Sequence, residues 1–250
     1  MTRHERQLPL YLSAPHDCSY LAGRVSNTLF ADPGGDMDMA TYSQLLQQGF
    51  RRSGRIVYAP RCEACRQCIS VRVPVRGFKP KRIHRRVLRA NDDVTVHLRP
   101  PRFDPEHFAL YKHYTAARHG DGEMANASPE TYMEFLHTDW CDTAFIEFRL
   151  EDRLVAVAAT DLPDDGLSAV YTFFDPALAS RSLGTFAILQ QIEAARRRGL
   201  DYVYLGYWIR DSRKMHYKAG FRPLQLWFDG RWQAVGATDP LPNPDLPTDS

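Results

Sequence analysis

An α+β fold is predicted for this chain of 250 residues, and three observations carry the prediction. Three strand-like runs follow one another between residues 143 and 174, with turn formers between them. Amphipathic helical stretches with legible start and stop signals lie on either side. Ahead of both stands a segment that concentrates cysteine and arginine, from Cys62 to Arg89. The predicted organisation is a smaller Cys/Arg-rich domain over residues 1–99, a mixed sheet flanked by helices over residues 100–236, and a disordered tail over residues 237–250.

Residues 1–40 alternate short apolar pieces with turn formers, including ADPGG at 31–35. Residues 41–50 (TYSQLLQQGF) suit a short helix, because Tyr42, Leu45 and Leu46 recur at helical spacing and Gly49 is a stop signal. An extended stretch begins at residues 56–58. Residues 69–75 (ISVRVPV) alternate apolar with Arg or Pro, which predicts a strand with one face inward and Arg72 on the other. Pro100-Pro101 marks the domain boundary. Asp104-Pro105-Glu106 is a helix start, with a capping Asp and Pro at the first turn, and that helix is predicted to reach about residue 118 and stop at Gly120. Ser128-Pro129-Glu130 starts a second helix in the same manner.

Strands at 143–150, 154–161 and 167–174, separated by Glu151-Asp152-Arg153 and the turn at 163–166, predict an antiparallel meander. A helix over 183–198 presents Phe186, Leu189 and Ile192 and ends at Gly199. A buried strand at 201–206, a short helix at 212–219 and a last strand at 221–228 follow. The tail beyond residue 236 holds four prolines and three aspartates and little to bury. From residue 100 the order is ααβββαβαβ, which fits a GNAT-like acyltransferase domain, in which an acyl donor sits at the splayed centre of a mixed sheet. Fold alone does not give function.

Composition narrows the class. The chain is 44% hydrophobic and 25% charged, as ordinary globular proteins are. No apolar run approaches the roughly 18–20 residues of a membrane span, and the N-terminus lacks a signal-peptide core, so a cytoplasmic protein is expected. The net charge of +2 conceals an asymmetry: residues 51–89 carry 13 Lys or Arg and a single acid, Glu63. Mutual repulsion within such a segment favours an anionic partner, and RNA is the natural one.

Cys62-x-x-Cys65-x-x-Cys68 has spacings that let thiolates converge on one ion, with Cys18, or failing it His16, as the fourth ligand. Zinc or an iron–sulfur cluster stands beside the alternative of reduced structural cysteines, and Cys141 reads as a buried thiol. A basic run follows, formed by Arg72, Arg76, Lys79, Lys81, Arg82, His84, Arg85, Arg86 and Arg89, whose guanidinium forks suit phosphate or carboxylate. Arg181-Ser-Leu-Gly184 precedes a helix where CoA-dependent acyltransferases cradle a pyrophosphate, but Phe186 replaces the second small residue. Residues 204–209 (YLGYWI) and 214–218 (KMHYK) place aromatics beside lysines. Tyr204 and Tyr217 read as core, while Trp208, Lys214 and Lys218 read as substrate-binding.

Taken together, GFRRSG at 49–54, the cysteine triplet before Val71-Arg72-Val73, VYTFFDP at 170–176 and the two aromatic segments resemble the arginyl-tRNA–protein transferase family, in its bacterial aspartate/glutamate leucyltransferase branch. The resemblance runs from Cys18 to about Trp232. It implies transfer of leucine from leucyl-tRNA to the α-amine of proteins with N-terminal Asp or Glu, within the N-degron pathway, with no cofactor required for the chemistry. From their place on the alternating strand, Arg72 and Arg76 are expected to hold the acceptor's acidic side chain. Arg82, Arg85, Arg86 and Arg89 would contact tRNA phosphates, and Tyr171, Asp175 and Tyr207 would face the reacting amine. Arginine as the donated residue, a CoA-dependent N-acetyltransferase and an inactive zinc-containing RNA-binding module are the alternatives.

Overall fold

Two principal sheets organise the computed structural model, which describes residues 8–32, 37–119 and 126–243; counts of elements and partners are for those residues. The first half supplies β1 (Leu10–Leu12), β2 (His16–Asp17), β3 (Val25–Ser26), β4 (Thr28–Ala31), α1 (Met39–Gln47), β5 (Arg51–Ser53), β6 (Ile56–Pro60), β7 (Ile69–Pro74), α2 (Arg82–Arg89) and β8 (Val94–Arg99). The second half supplies α3 (Pro105–His119), α4 (Pro129–Leu136), β9 (Thr143–Leu150), β10 (Arg153–Asp161), β11 (Gly166–Phe174), α5 (Leu183–Arg197), β12 (Tyr202–Trp208), β13 (Leu224–Phe228) and β14 (Arg231–Val235). Short 3-10 turns cover Pro176–Arg181 and His216–Gly220. A four-stranded sheet has the order β1-β4-β6-β5, the β2-β3 hairpin stands apart, and an eight-stranded sheet runs β14-β13-β7-β12-β11-β10-β9-β8.

The local signals explain most of these elements. Asp38 caps α1 by accepting from Thr41 N at 2.8 Å, and the helix gives way at Gly49, whose φ of +82° and contact with the Trp227 indole exclude a Cβ. Asp104 accepts from Glu106 N at 2.7 Å at the start of α3, and Ser128 accepts from Thr131 N at 3.2 Å at the start of α4. Strands β9 to β11 form the expected antiparallel meander. Helix α5 then lays Phe186, Leu189 and Ile192 on the sheet and returns the chain to β12, which runs parallel to β11.

The mixed α+β class, with a large sheet flanked by helices, is as expected, but the sheet does not respect a division after residue 99. Strand β7 lies between β12 and β13, pairing antiparallel with both, and β8 forms the far edge against β9. Five of the six residues of β7 are buried, so both faces of the strand are covered and it needs a partner on each side. Helix α2, β8 and β14 are additional to the expected elements, and a 3-10 turn at His216–Gly220 replaces the expected helix at 212–219. In α2 only His84 and Val87 are buried, and in β8 only Val94, which leaves a thin periodic signal. The turn formers at 33–35, the stop at Gly120 and the tail at 244–250 lie outside the described residues. The first part of the tail ties back: Leu241 packs on the main core, and Asp239 bonds Gly236 N at 2.8 Å.

A buried ion pair fastens the two halves together. Arg52 on β5 grips Asp161 at the end of β10 through Nε at 2.6 Å and Nη2 at 2.5 Å. The carboxylate also accepts from Thr143 Oγ1 at 2.8 Å and Tyr42 OH at 3.0 Å, while Arg52 Nη2 reaches Leu136 O at 2.8 Å. Both side chains are fully buried. Such a pair keeps its stability only because the surrounding hydrogen bonds satisfy the groups taken out of water.

Candidate functional site

The parallel pairing of β11 with β12 spans only Gly166↔Tyr202 to Ser168↔Tyr204, although both strands continue. Where they part, the next carbonyl of β11 turned toward the gap, Val170 O, accepts not from β12 but from Arg51 Nη2 at 3.0 Å. On the other side the guanidinium lies on Gly206, which has φ +74° and where a Cβ would collide with Arg51 Nη1. A register shift in the pairing of β12 with β7 falls between Tyr204 and Gly206, so the backbone is re-aimed at the same point. Arg51 is thus a wedge between two separating strands. Its Nε is buried without a partner among the described residues.

Two of the expected site residues meet beside this wedge. The Tyr207 ring lies 5.9 Å from the Arg51 guanidinium, and its hydroxyl donates to Tyr58 O at 2.9 Å. Lys218, 5% exposed, donates from Nζ to Tyr207 O at 2.8 Å and also touches Met215 Sδ at 3.3 Å. Burial, reinforced by the positive charge of Arg51, lowers the Lys218 ammonium well below its ordinary value. Burial likewise raises the Tyr207 phenol, with Tyr58 adding to the effect.

Next to the wedge opens a cleft of about 450 Å³, lined by Gly49, Phe50, Tyr207, Trp227 and the four cysteines Cys18, Cys62, Cys65 and Cys68. All five cysteines of the chain are free thiols. Cys62 Sγ contacts Asn27 O at 3.8 Å, and Cys65 Sγ accepts from Arg24 Nη1 at 3.5 Å. Burial pushes the Cys68 thiol up to about 12, and the nearness of Cys62, Cys65 and Cys18 adds to that. Among the described residues no group of three or more His, Cys, Asp or Glu is gathered closely enough to hold a metal ion. The thiols share the cleft without forming a closed shell. Cys141 is buried, as expected.

Other expected residues lie elsewhere. Arg72 is not presented to a substrate: its guanidinium is stacked 3.6 Å from the Tyr202 ring centre and 4.2 Å from that of Trp232, and it donates to Gln225 Oε1 at 2.7 Å and Tyr204 OH at 3.2 Å. The Arg72 face of β7 is covered by aromatic rings, whereas the alternating pattern suggests an open one. Arg76 is exposed on the surface, with Asp201 at 3.7 Å. Trp208 is buried in the main core, opposite in facing to Tyr207, and Lys214 is exposed. Tyr171 sits in an aromatic cluster with Tyr111, Phe135 and Phe173; its hydroxyl is buried without a partner among the described residues, and burial raises its pKa. Asp175 caps the following 3-10 turn through Ala177 N at 2.9 Å and binds Arg153 Nη1 at 2.9 Å, so it holds the end of β11. Arg82, Arg85, Arg86 and Arg89 are all exposed on α2, and none meets a carboxylate among the described residues.

Arg51 and Gly206 are the residues that motif reading did not single out for a role. A signal was present in each case. Two consecutive arginines at the start of a short strand must face opposite ways. A glycine inside an aromatic strand marks the close approach of another group.

Known proteins share this sequence over nearly its whole length. The models of arginine-tRNA-protein transferase, N terminus and C terminus, match residues 16–86 and 106–228. The aspartate/glutamate leucyltransferase of Alkalilimnicola ehrlichii is 53% identical over 231 residues, covering 92% of this chain and 97% of that one. The protein of the same name from Chromohalobacter salexigens is 52% identical over 228 residues, covering 90% and 92%. That from Nitrosococcus oceani is 48% identical over 229 residues, covering 91% and 96%.

Proposed function

Because the chain belongs to the arginine-tRNA-protein transferase family, we propose that it transfers leucine from leucyl-tRNA to the α-amine of proteins that begin with Asp or Glu. It is an aminoacyltransferase, and its two substrates need distinct features of one molecule. The observation that carries the reading is the pairing of an exposed arginine face on α2 with a half-buried cationic wedge where β11 and β12 part. The first suits a polyphosphate and the second a small reacting group. The parting of parallel strands supports a GNAT-like arrangement for the acyl donor, and a tRNA donor places the reaction in the cytoplasm.

The reaction asks little acid–base chemistry of the protein. The α-amine nitrogen attacks the ester carbonyl carbon, a C–N bond forms, the bond from that carbon to the ribose oxygen breaks, and the amine proton passes to the departing ribose oxygen. An α-amine has a pKa of about 7.7–8.0, so a substantial fraction is neutral near pH 7, and no covalent intermediate is needed. Alignment of amine and ester, with a donor at the oxyanion, can supply several kcal/mol of the barrier lowering. Of the tyrosines, Tyr171 has an uncommitted hydroxyl, which makes it the better candidate for that donor, whereas Tyr207 is engaged with Tyr58 and forms a wall. Asp175 is a positioning residue in this scheme.

The CoA-dependent alternative loses its anion-binding arginine. Arg181 is held in a two-pronged contact by Asp93, at 2.7 and 2.9 Å. The Cys18, Cys62, Cys65 and Cys68 thiols have the donor chemistry for zinc or an iron–sulfur cluster, which would draw the four together across the cleft and play no part in the bond-forming step. Zinc titration followed by thiol accessibility tests this: protection of four thiols per chain supports it, and unchanged reactivity rejects it.

The decisive experiment supplies labelled leucyl-tRNA and arginyl-tRNA side by side with peptides starting in Asp, Glu or Ser. Leucine transfer to the acidic peptides alone is expected. Transfer of arginine instead, or equal transfer to the Ser peptide, would overturn the donor or the acceptor assignment respectively.

A further inference from the structure

Arg51 and Lys218 are an unusual pair of cations. Other enclosed guanidinium groups are better satisfied: Arg52 grips Asp161, Arg149 meets Glu106 and Glu147, Arg72 is sandwiched between the Tyr202 and Trp232 rings, and Arg222 donates to the backbone carbonyls of Ala219, Gly236 and Asp239. Arg51 has no carboxylate within ion-pair distance among the described residues, and its hydrogen-bond partner is a backbone carbonyl. Among the described residues, Lys218 has only Tyr207 O and a thioether sulfur. The two touch consecutive residues of β12, because Arg51 lies on Gly206 and Lys218 on the carbonyl of Tyr207. They are near enough to interact, since the Arg51 charge adds to burial in disfavouring the Lys218 ammonium. Like charges confined together away from bulk water repel, and a bound anion relieves both the repulsion and the lost hydration.

We propose that Arg51, seconded by Lys218, is the receptor for the side-chain carboxylate of the acceptor's first residue. The assignment rests on the acceptor class given above and names the atoms that read it. The site favours a carboxylate over a tRNA phosphate on physical grounds. The α2 arginines are exposed, as contacts to a bulky, hydrated backbone require. Arg51 is half-buried between strands and Lys218 almost wholly buried, so an anion must arrive on a narrow stem, as an Asp or Glu side chain does. An arginine fork can donate to such a group in two-pronged fashion, and a main-chain carbonyl and a glycine fix the position of the fork. Asparagine has the same shape without the charge and leaves the cations unpaired. Acid selection thereby becomes a matter of charge complementation.

The test measures binding of peptides starting with Asp, Glu or Asn by calorimetry without tRNA, so its outcome is independent of whether leucine is the donated residue. The unsubstituted protein is expected to bind the Asp peptide about tenfold or more tighter than the Asn peptide, the factor associated with a charge-assisted hydrogen bond. Arg51→Gln should bring that ratio close to one while leucyl-tRNA binding stays the same. Arg51→Lys, which keeps the charge but loses the fork, should retain part of the preference; it serves as the second variant if the glutamine protein fails to fold. A folded R51Q protein that keeps the full Asp/Asn ratio overturns the proposal. So does loss of leucyl-tRNA affinity with the ratio intact, which would give this site to a phosphate.

Discussion

Replacing Lys218 by methionine isolates the consequence of enclosing an ammonium group without an anion. The lysine is 5% exposed and has two contacts, to Tyr207 O and Met215 Sδ. Desolvating an ion costs several kcal/mol even after the protein relaxes, while stripping Tyr207 O of its donor costs about 1–3 kcal/mol. Taking the first as about 4 kcal/mol, the K218M protein should near neutral pH be the more stable by about 1–3 kcal/mol.

The pH dependence supplies a sharper signature. Burial sets the Lys218 pKa in the folded protein well below its ordinary 10.5. Between that lowered value and 10.5, the unfolded chain holds a proton that the folded protein has shed. Stability of the unsubstituted protein therefore rises with pH through this window, by about 1.4 kcal/mol per unit, and is lost again as pH falls toward the folded value. K218M lacks this contribution, so its advantage should shrink as pH rises. Guanidinium unfolding of both proteins from neutral pH to about pH 10 measures the difference directly. Parallel stability curves, or a K218M protein that is less stable at neutral pH, would refute the reasoning, because either result means the amine is not desolvated. The same substitution should weaken binding of acidic acceptors, so that stability and substrate recognition move in opposite directions.

Three further outcomes are expected. Asp161→Asn leaves the Arg52 guanidinium buried beside a neutral amide and should lower stability by about 3–5 kcal/mol in chemical denaturation; a loss under about 1 kcal/mol would mean the pair is not enclosed as described. Gly206→Ala, at a backbone φ of +74° and against Arg51 Nη1, should displace the wedge and remove the acid preference while leaving leucyl-tRNA affinity intact; unchanged peptide selectivity would detach Gly206 from the site. Neutralising Arg82, Arg85 and Arg86 together should weaken tRNA binding and flatten its salt dependence by roughly 0.7–0.9 for each phosphate no longer neutralised; an unaltered slope would move the tRNA to another face.

The elements that are legible in the sequence share one property: their periodicity and their punctuation agree. The meander of β9 to β11 and helices α3, α4 and α5 have apolar spacing that matches their caps and turns, so they fall within a residue or two of expectation. The site is harder to read. Arg72 and Arg51 look alike in a basic run, and only tertiary packing distinguishes the guanidinium sealed between Tyr202 and Trp232 from the one placed at a strand junction. Lys218 stands out by its aromatic neighbours, but its burial depends on the turn at His216–Gly220 folding back under β12, an approach that local pattern cannot supply. The cysteine spacing indicates a shared location for Cys62, Cys65 and Cys68, and the addition of Cys18 brings the fourth thiol to the same cleft.

The place of β7 also governs how the chain can be made. It is synthesised by residue 74, yet its neighbours β12 and β13 begin at Tyr202 and Leu224. During translation this largely apolar strand must wait for more than half the chain before either edge is satisfied, and pairing so distant in sequence folds slowly. A ribosome that stalled anywhere before β12 would release a product with an open, sticky strand, which quality-control proteases and chaperones recognise readily. An enzyme assigned to marking other proteins for destruction would thus have, in its own unfinished copies, a built-in reason to be destroyed.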